Sequence, residues 1–225
     1  VDGKKLEKLE IGDEATARQL VTAIAREDFR VASLVRKEKK RNPAAPFTTS
    51  TLQQEASRKL GFSARKTMST AQKLYEGIDI GQGSVGLITY MRTDSVALST
   101  VATNEAREVI SQRFGQEYAL DHPRVYKSKA KNAQEAHEAI RPTTIANTPE
   151  KLKPFLSSDQ FRLYQLIWTR TVASQMAAAV LEATTVDLAA GERFTFRASG
   201  QVIRFPGFMK LYIEGTDSPD EEQEG

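Results

Sequence analysis

The division of the chain is set by Ser157-Ser158-Asp159-Gln160-Phe161-Arg162-Leu163-Tyr164-Gln165-Leu166-Ile167, near the end of a helical block. Ser157 and Gln160 have the spacing of a capping box, which predicts a long helix over residues 161–180. Beyond residue 180 the period becomes that of strands, interrupted by glycine and by Pro206-Gly207. The stretch therefore closes a run of helices and leads into β structure. Apolar residues at helical spacing are expected to face the core: Leu163, Leu166, Ile167 and Val172.

The residues before this helix show where the helical block begins. Asp13 is a plausible N-cap for a first helix, and residues 29–35 are β-branched and apolar enough for a strand. The basic residues 36–46 contain Asn42-Pro43 and Pro46, so they are interpreted as a connector and a domain boundary. Further helices are predicted from Ser50 or Thr51 to Leu60, from Ser63 to Gly77, over residues 99–114 and over residues 134–140. Strands are predicted over residues 184–188, 193–198, 201–205 and 208–213.

The predicted fold class is α+β, with one domain inserted into another. A mostly helical domain, residues 37–176, interrupts a smaller β-rich domain formed by residues 1–36 and 177–213. Residues 214–225 contain six acidic and no basic residues, and are expected to form a disordered tail.

The composition excludes several classes of protein. Of the 225 residues, 40% are hydrophobic and 27% charged, which is typical of globular proteins and excludes wholesale disorder. No apolar run approaches the roughly 18–20 residues of a membrane span, so no membrane association is expected. Cysteine is absent and the histidines are only His122 and His137, which excludes a thiolate zinc site or an imidazole-rich metal site.

The charge is unevenly distributed. The net charge is +3, but residues 36–73 contain ten basic and two acidic side chains, a local charge of +8. Without the acidic tail the remaining residues have a charge of +9. This excess suits a polyanionic partner such as nucleic acid, because cations near phosphates release counterions. The simpler interpretation is a solvated basic surface.

One candidate for catalysis lies around Tyr90. In an extended segment Tyr90 and Arg92 point the same way, since side chains alternate along a strand. A phenol with a pKa of about 10 needs a nearby cation or base to act as a nucleophile. Arg92 offers planar donors that match phosphate oxygens. The two residues favour phosphoryl transfer to tyrosine, although a half-buried Tyr beside a solvated Arg is the common alternative.

A second candidate lies around His137. If residues 134–140 form a helix, Gln134, His137 and Arg141 share one polar stripe that can hold a phosphate. The competing interpretation is a surface helix whose histidine makes a local hydrogen bond. Glu135 and Glu138 beside the histidine do not make a metal site, because no third ligand is evident.

These segments resemble motifs of the type IA DNA topoisomerases. The active-tyrosine motif of the family is similar to Leu87-Ile88-Thr89-Tyr90-Met91-Arg92-Thr93-Asp94-Ser95. The Met that follows the Tyr resembles the form of this motif in the bacterial topoisomerase I branch. The segment that enters the tyrosine domain is similar to Ala45-Pro46-Phe47-Thr48-Thr49-Ser50-Thr51-Leu52-Gln53-Gln54. The histidine motif is similar to Gln134-Glu135-Ala136-His137-Glu138-Ala139-Ile140-Arg141-Pro142. The resemblance extends from about residue 37 to residue 213, in the order of the family.

The resemblance implies a mechanism and residue roles. In this family a tyrosine attacks a phosphodiester of single-stranded DNA, becomes joined to the 5′ phosphate, and later allows religation after strand passage. Tyr90 is then the nucleophile and Arg92 stabilises the scissile phosphate. His137 assists there, and Thr93 and Asp94 support the arrangement. The residues expected to contact DNA are Arg92, Arg141, Lys66, Lys73 and Gln134.

The chain lacks part of what the family needs. Nothing before residue 37 resembles the acidic metal-binding domain, so we expect a monomeric gate fragment, built from the tyrosine and hinge domains of a toroidal enzyme. Its expected partners are single-stranded DNA and that missing domain, in the bacterial cytoplasm at the nucleoid. No cofactor is expected in this chain, whereas Mg²⁺ is implied for the full-length enzyme, and the fragment alone is not expected to relax supercoils.

Two other functions compete with this one. One is a non-catalytic single-stranded nucleic-acid-binding module that uses the basic stretch and exposed aromatics such as Phe47 and Tyr75, with Tyr90 structural. The other is an interaction or hinge domain whose basic connector is merely solvated.

Overall fold

A computed structural model describes residues 1–7, 9–81, 83–127 and 137–215. The helices are α1 (Glu14–Ile24), α2 (Thr49–Leu60), α3 (Ala64–Glu76), α4 (Thr100–Phe114), α5 (Pro149–Leu152) and α6 (Ser158–Ser174). The strands are β1 (Phe29–Arg41), β2 (Ile78–Asp79), β3 (Ser84–Val85), β4 (Ala179–Ala190) and β5 (Phe194–Phe205). Short 3₁₀ helices lie at Gln116–Tyr118, Lys153–Phe155 and Gly207–Lys210. The mixed α+β fold class is confirmed.

The chain divides into two compact units. The first contains Val1–Lys40 and Val180–Phe205. The second contains Arg41–Ala179 and the described residues that follow Phe205. The sequence placed these boundaries at residues 36 and 176 and assigned residues 177–213 to the β-rich domain. In the structure residues 206–215 belong instead to the helical unit.

The first unit is built on a three-stranded sheet in the order β1-β4-β5. Strands β4 and β5 are antiparallel, in register from Leu181↔Ile203 to Ala190↔Phe194, with an irregularity between Val180 and Leu181. Gly191 lies in the turn between them with a φ of +59°, a left-handed conformation that favours glycine. Helix α1 is capped as predicted, since the Asp13 carboxylate accepts a hydrogen bond from the backbone N–H of Thr16 at 2.7 Å.

Several of the predicted strands differ from the structure. Strand β1 continues to Arg41, so the basic residues 36–41 form an exposed strand and not a connector. The strands predicted over residues 193–198 and 201–205 are one strand, because Gly200 pairs with Thr184 and keeps a φ outside the left-handed region. Residues 208–213 are not a strand, since a 3₁₀ helix begins at Gly207, whose φ is +50°.

The second unit has a helical core. Helices α2, α3 and α6 pack together around large side chains that are essentially inaccessible to solvent. Trp168 is anchored there by a hydrogen bond from its indole N–H to the carbonyl of Ile145 at 2.8 Å. The largest fully buried side chains include Trp168, Tyr164, Phe47 and Phe62.

The caps of this unit were predicted better than its helix ends. Ser157 and Gln160 form the predicted capping box, and Ser63 and Ser99 cap α3 and α4. Helix α6 nevertheless ends at Ser174 and not at residue 180, because the following residues leave the helix: the N–H of Ala177 donates to the carbonyl of Tyr118 at 2.8 Å. None of the helices formed by the described residues has the length and apolar content needed to cross a membrane.

Candidate active site

The segment that carries Tyr90 is fixed at its start by backbone hydrogen bonds. The N–H of Leu87 donates to the carbonyl of Leu74, near the end of α3, at 2.7 Å. The N–H of Thr89 donates to the carbonyl of Arg141 at 2.9 Å, and Ile88 forms an antiparallel bridge with Pro142. Leu87 and Ile88 are both buried. The residues just before Tyr90 are therefore held between α3 and residues 140–142.

Beyond this anchor the chain is extended but is no longer part of a sheet. Strand pairing before Tyr90 is limited to β3 and the bridge at Ile88, and residues 91–92 form a bend. Exposure still alternates residue by residue: the even-numbered side chains from 90 to 94 are exposed and the intervening ones are buried. This alternation directs Tyr90 and Arg92 outward together, as the sequence indicated, and Asp94 with them.

The N-terminus of α2 holds the inward side of this segment. The Thr49 hydroxyl donates to the carbonyl of Met91 at 2.8 Å and accepts from the N–H of Thr93 at 2.9 Å. The N–H of Thr49 in turn donates to the carbonyl of Thr93 at 2.9 Å. Helix α2 is capped by Thr48 in a capping box with Thr51, so the predicted cap at Ser50 or Thr51 was wrong by two or three residues.

Two adjoining cavities open beside these residues. The larger, of ≈ 610 Å³, lies at the N-terminus of α2. The smaller, of ≈ 320 Å³, contains Tyr90. Thr93 and His137 line both, so residues predicted from two separate motifs meet here. The larger cavity is lined by Thr48, Thr49, Ser50, Arg92, Thr93, Asp94 and His137. The smaller is lined by Tyr75, Thr89, Tyr90, Thr93, His137 and Glu138.

The donors at the larger cavity are available for a ligand. Arg92 is exposed, and it makes no hydrogen bond or ion pair with any other residue in the described part of the chain. His137 is exposed at the same cavity. The Arg92 guanidinium and the His137 imidazole offer nitrogen donors of the kind that suit a phosphate oxygen.

Tyr90 is 47% exposed, and its ring packs against Tyr75. The two ring centroids are 5.4 Å apart with planes at 61°, an edge-to-face contact. Tyr75 is itself 41% exposed at the end of α3, as the sequence predicted. Phe47, which was predicted as a second exposed aromatic, is fully buried in the core.

The region around His137 differs from its prediction. Residues 137–139 are not helical and Ile140 pairs with Phe47, so the predicted helical stripe is wrong for its described part. Gln134 lies outside the described residues. The backbone of residues 139–141 is held by Thr89, whose hydroxyl donates to the carbonyl of Ala139 at 2.7 Å.

Arg141 was predicted to contact DNA, but its guanidinium is engaged inside the protein. It donates to both carboxylate oxygens of Glu138, at 2.6 and 3.2 Å, and to the carbonyl of Pro142 at 2.8 Å. Partial burial acts to raise the pKa of Glu138, but hydrogen bonds from Arg141 and Ser99 outweigh it and hold that pKa below its ordinary value. Arg141 therefore supports the loop that carries His137.

The two predicted DNA-binding lysines lie on α3. Lys66 forms an ion pair with Asp159 at 2.9 Å, and Lys73 is exposed in the last turn. Neither is among the described residues that line the two cavities. Their contact with DNA stays a prediction.

Some residues of the site were missed by the sequence reasoning. Thr48, Thr49 and Ser50 form one wall of the larger cavity. The only signal for them was their position in the segment after Pro46, which precedes the predicted helix. Thr89 could not be found from its own pattern, because its role depends on a strand partner about 50 residues later in the chain.

An exposed phenol, a guanidinium and an imidazole around adjoining cavities define a site suited to phosphate chemistry on a mixed α+β scaffold. The sequence model of the family described as DNA topoisomerase matches residues 2–224. The chain therefore belongs to the DNA topoisomerase family.

The relatives are bacterial enzymes named DNA topoisomerase 1. The protein from Xylella fastidiosa (strain Temecula1 / ATCC 700964) is 53% identical over 228 residues, which cover 100% of this chain and 28% of that protein. The protein from Rickettsia felis is 50% identical over 224 residues, which cover 99% of this chain and 29% of that protein. The structure of full-length topoisomerase I from Thermotoga maritima matches with a TM-score of 0.79 and 37% identity, over 96% of this chain and 35% of that one. The resemblance to bacterial topoisomerase I is confirmed, and the chain spans less than a third of the length of its curated relatives.

Proposed function

We propose that this chain forms the DNA gate of a type IA topoisomerase and carries the nucleophile that cleaves single-stranded DNA. The observation that supports this most directly is the meeting of Tyr90, Arg92, Thr93 and His137 at two adjoining cavities. Tyr90 is exposed enough to reach a phosphodiester, and Arg92 is free of other partners among the described residues.

In the proposed reaction the Tyr90 oxygen attacks the phosphorus of a DNA phosphodiester. A bond forms between the phenolic oxygen and phosphorus, the bond to the 3′ oxygen breaks, and the phenolic proton is lost as the 3′ oxygen gains one. The 5′ phosphate is left on the tyrosine. Religation reverses the exchange after a strand has passed, so the phosphodiester energy is conserved and no nucleotide cofactor is needed.

Arg92 and His137 stabilise the negative charge that develops on the phosphate. A guanidinium offers two parallel donors to a pair of phosphate oxygens, and donors already in place cost no reorganisation when the charge appears. Thr93 holds the loop through Thr49, and Asp94 lines the larger cavity beside Arg92. These roles are the ones that the family resemblance implies, and they are supported by the exposure of Arg92 and His137 and by the bond that ties Thr93 to α2.

Mg²⁺, which the family implies, does not fit this chain alone. Among the described residues no three histidine or acidic side chains come together. Near Tyr90 the carboxylates are those of Glu138 and Asp94, and Glu138 is already bonded to Arg141 and Ser99. We propose that the metal is held by another part of the polypeptide, and we assign no step of the reaction to it here.

The chain alone is proposed to bind single-stranded DNA as a monomer without relaxing supercoils. It covers 28% of the Xylella fastidiosa protein, so most of that enzyme has no counterpart here. Efficient relaxation of negatively supercoiled plasmid by the 225-residue chain, with Mg²⁺ present, contradicts this part of the proposal.

The nucleophile is tested in a topoisomerase as long as the curated relatives, in which the segment that corresponds to this chain has this chain's sequence. With a 3′-labelled single-stranded substrate, whose label stays on the fragment joined to the tyrosine, Tyr90→Phe should abolish the covalent protein–DNA adduct. Tyr75→Phe is the matched control, because it removes the neighbouring phenol oxygen and keeps the ring contact; it should form the adduct. An adduct that persists in Tyr90→Phe shows that Tyr90 is not the nucleophile and favours the non-catalytic binding module.

A further inference from the structure

The second half of strand β1 is a basic surface in the first unit. Arg36, Lys37, Lys39 and Lys40 are all exposed, and only Glu38 interrupts them. We infer that this segment, hereafter the basic segment (residues 36–40), is a second contact for single-stranded DNA, separate from the cavities at Tyr90. The inference rests on the proposed function only in taking DNA as the partner.

The cations of the basic segment lack partners, unlike most others of the same unit. None of them forms an ion pair with another described residue, whereas several cations elsewhere in the unit are paired with carboxylates. An unpaired cation keeps its full charge for an external phosphate. The paired ones are Lys4, Lys5, Arg18, Arg193, Arg197 and Arg204.

The strand also spaces these charges regularly. Residues two apart on a strand lie roughly 6.7 Å apart and project on the same side. This spacing is comparable to the distance between phosphates in an extended single strand. The Ser33 hydroxyl donates to the Asp187 carboxylate at 3.0 Å, so the Ser33 side chain lies on the same side of the sheet as Asp187. In a regular strand the other odd-numbered residues of β1 share that side. Lys37 and Lys39 then lie on that side, and Glu38 lies on the other.

The position of β1 leaves this surface accessible. In the sheet order β1-β4-β5, β1 is an edge strand among the described residues. Edge lysines also serve to prevent unwanted pairing with other strands. Exposed apolar side chains lie directly beside the basic segment, at Leu34 and Val35. Edge protection is therefore the competing explanation, and the aggregation measurement below separates it from DNA binding.

The test measures the salt dependence of binding. The full 225-residue chain is titrated with a fluorescein-labelled oligothymidylate, and the dissociation constant is determined by anisotropy at a series of KCl concentrations. Each single-strand phosphate contact contributes about 0.7 to the slope of log affinity against log salt, so Lys37→Gln/Lys39→Gln should reduce the slope by about 1.4. Lys4→Gln/Lys5→Gln changes the net charge equally in the same unit and should leave the slope unchanged.

Two results overturn the inference. One is an unchanged slope and affinity in Lys37→Gln/Lys39→Gln. The other is a variant that aggregates by light scattering while its monomeric fraction binds like the wild type, which makes the lysines guards of a strand edge. Because the readout is binding and not cleavage, the slope change is expected in a Tyr90→Phe background as well. Loss of the slope change there refutes the second contact, and failure of Tyr90 as nucleophile leaves the second contact standing.

Discussion

The side chain of Thr49, at the start of α2, is bonded to the backbone on both sides of Arg92. Its hydroxyl accepts from the N–H of Thr93 at 2.9 Å and donates to the carbonyl of Met91 at 2.8 Å. Arg92 is therefore exposed on a short loop whose two flanking residues are fixed to a helix. This relationship lets a free guanidinium keep a defined position without a partner of its own.

Thr49→Val should destabilise this loop while preserving the shape of the side chain. The N–H of Thr93 and the carbonyl of Met91 lose their side-chain partner, which is expected to cost about 1–3 kcal/mol in the free energy of unfolding. Urea unfolding followed by circular dichroism measures the change. Thr169→Val is the matched control, because its hydroxyl bonds only to carbonyls within its own helix. Equal free energies of unfolding for the two variants contradict the role given to Thr49.

The local signals in the sequence predicted much of the fold. Asp13, Ser63 and Ser157 cap the helices that their positions indicated, because a cap depends on residues within one turn. The errors arose where distant residues decide the structure. Strand β1 continues through its charged residues because it pairs with β4, about 140 residues later in the chain, and no local pattern reports that pairing.

The candidate site was predicted in its outward-facing residues and missed in its supports. Tyr90 and Arg92 were found because the alternation of an extended segment is a local property. The support from Thr49 was not found, since it depends on how α2 meets residues 91–93. The surroundings of Arg141 were not predicted: the described residues just before it are not helical, and its guanidinium is bonded to Glu138. Its contact with DNA stays a prediction.

Arg92→Ala in a full-length enzyme should retain the fold and lose most DNA cleavage. Arg92 is exposed and lacks partners in the described chain, so the free energy of unfolding should change by less than about 0.5 kcal/mol. Loss of a preorganised donor to the developing charge should lower the rate of adduct formation by about 100-fold. The rate of adduct formation in Arg92→Lys should lie between those of the wild type and Arg92→Ala, because lysine keeps the charge without the planar pair of donors. Arg65→Ala, an exposed arginine on α3, is the control; cleavage by Arg92→Ala at the rate of this control contradicts the assignment.

Glu138→Gln should weaken the protein at neutral pH and matter less in acid. The pKa of Glu138 lies below its ordinary value of 4.5 in the folded protein, for although burial acts to raise it, the bonds from Arg141 and Ser99 lower it by more. A carboxyl group whose pKa is lower in the folded than in the unfolded protein increases the free energy of unfolding. This contribution is complete above the pKa of the unfolded state and is lost as the pH falls through the pKa of the folded state. Urea unfolding at pH 7 should show a loss of about 1–2 kcal/mol in Glu138→Gln, and the difference from wild type should shrink below about pH 4.

The control for that experiment is Glu76→Gln, which removes the same charge from the exposed end of α3. It should leave the pH dependence of unfolding close to that of the wild type. A difference between wild type and Glu138→Gln that stays constant from pH 7 to pH 3 shows that the carboxylate charge is not what Arg141 requires.

Arg170 should be the most costly of the charged residues of the helical unit to remove. It is only 5% exposed, its Nε donates to the carbonyl of Ala45 at 2.6 Å, and its guanidinium lies 4.8 Å from the centroid of the Phe47 ring. Removal leaves the part-buried carbonyl of Ala45 without this donor and breaks the ion pair of the buried guanidinium with Glu214, so Arg170→Met should cost about 3 kcal/mol.

The effect of Arg170→Met should reach the cavities, because Phe47 accepts from the N–H of Ile140 at 2.9 Å and immediately precedes the cap of α2. At a temperature where the variant is still folded, a full-length enzyme carrying it should form the DNA adduct more slowly. Arg162→Met removes an exposed arginine that donates to the carbonyl of Leu60, and should cost less than about 1 kcal/mol with normal cleavage. If the two variants unfold at the same urea concentration and cleave equally fast, the buried guanidinium does not support the site, because its contacts are then worth no more than those of a surface arginine.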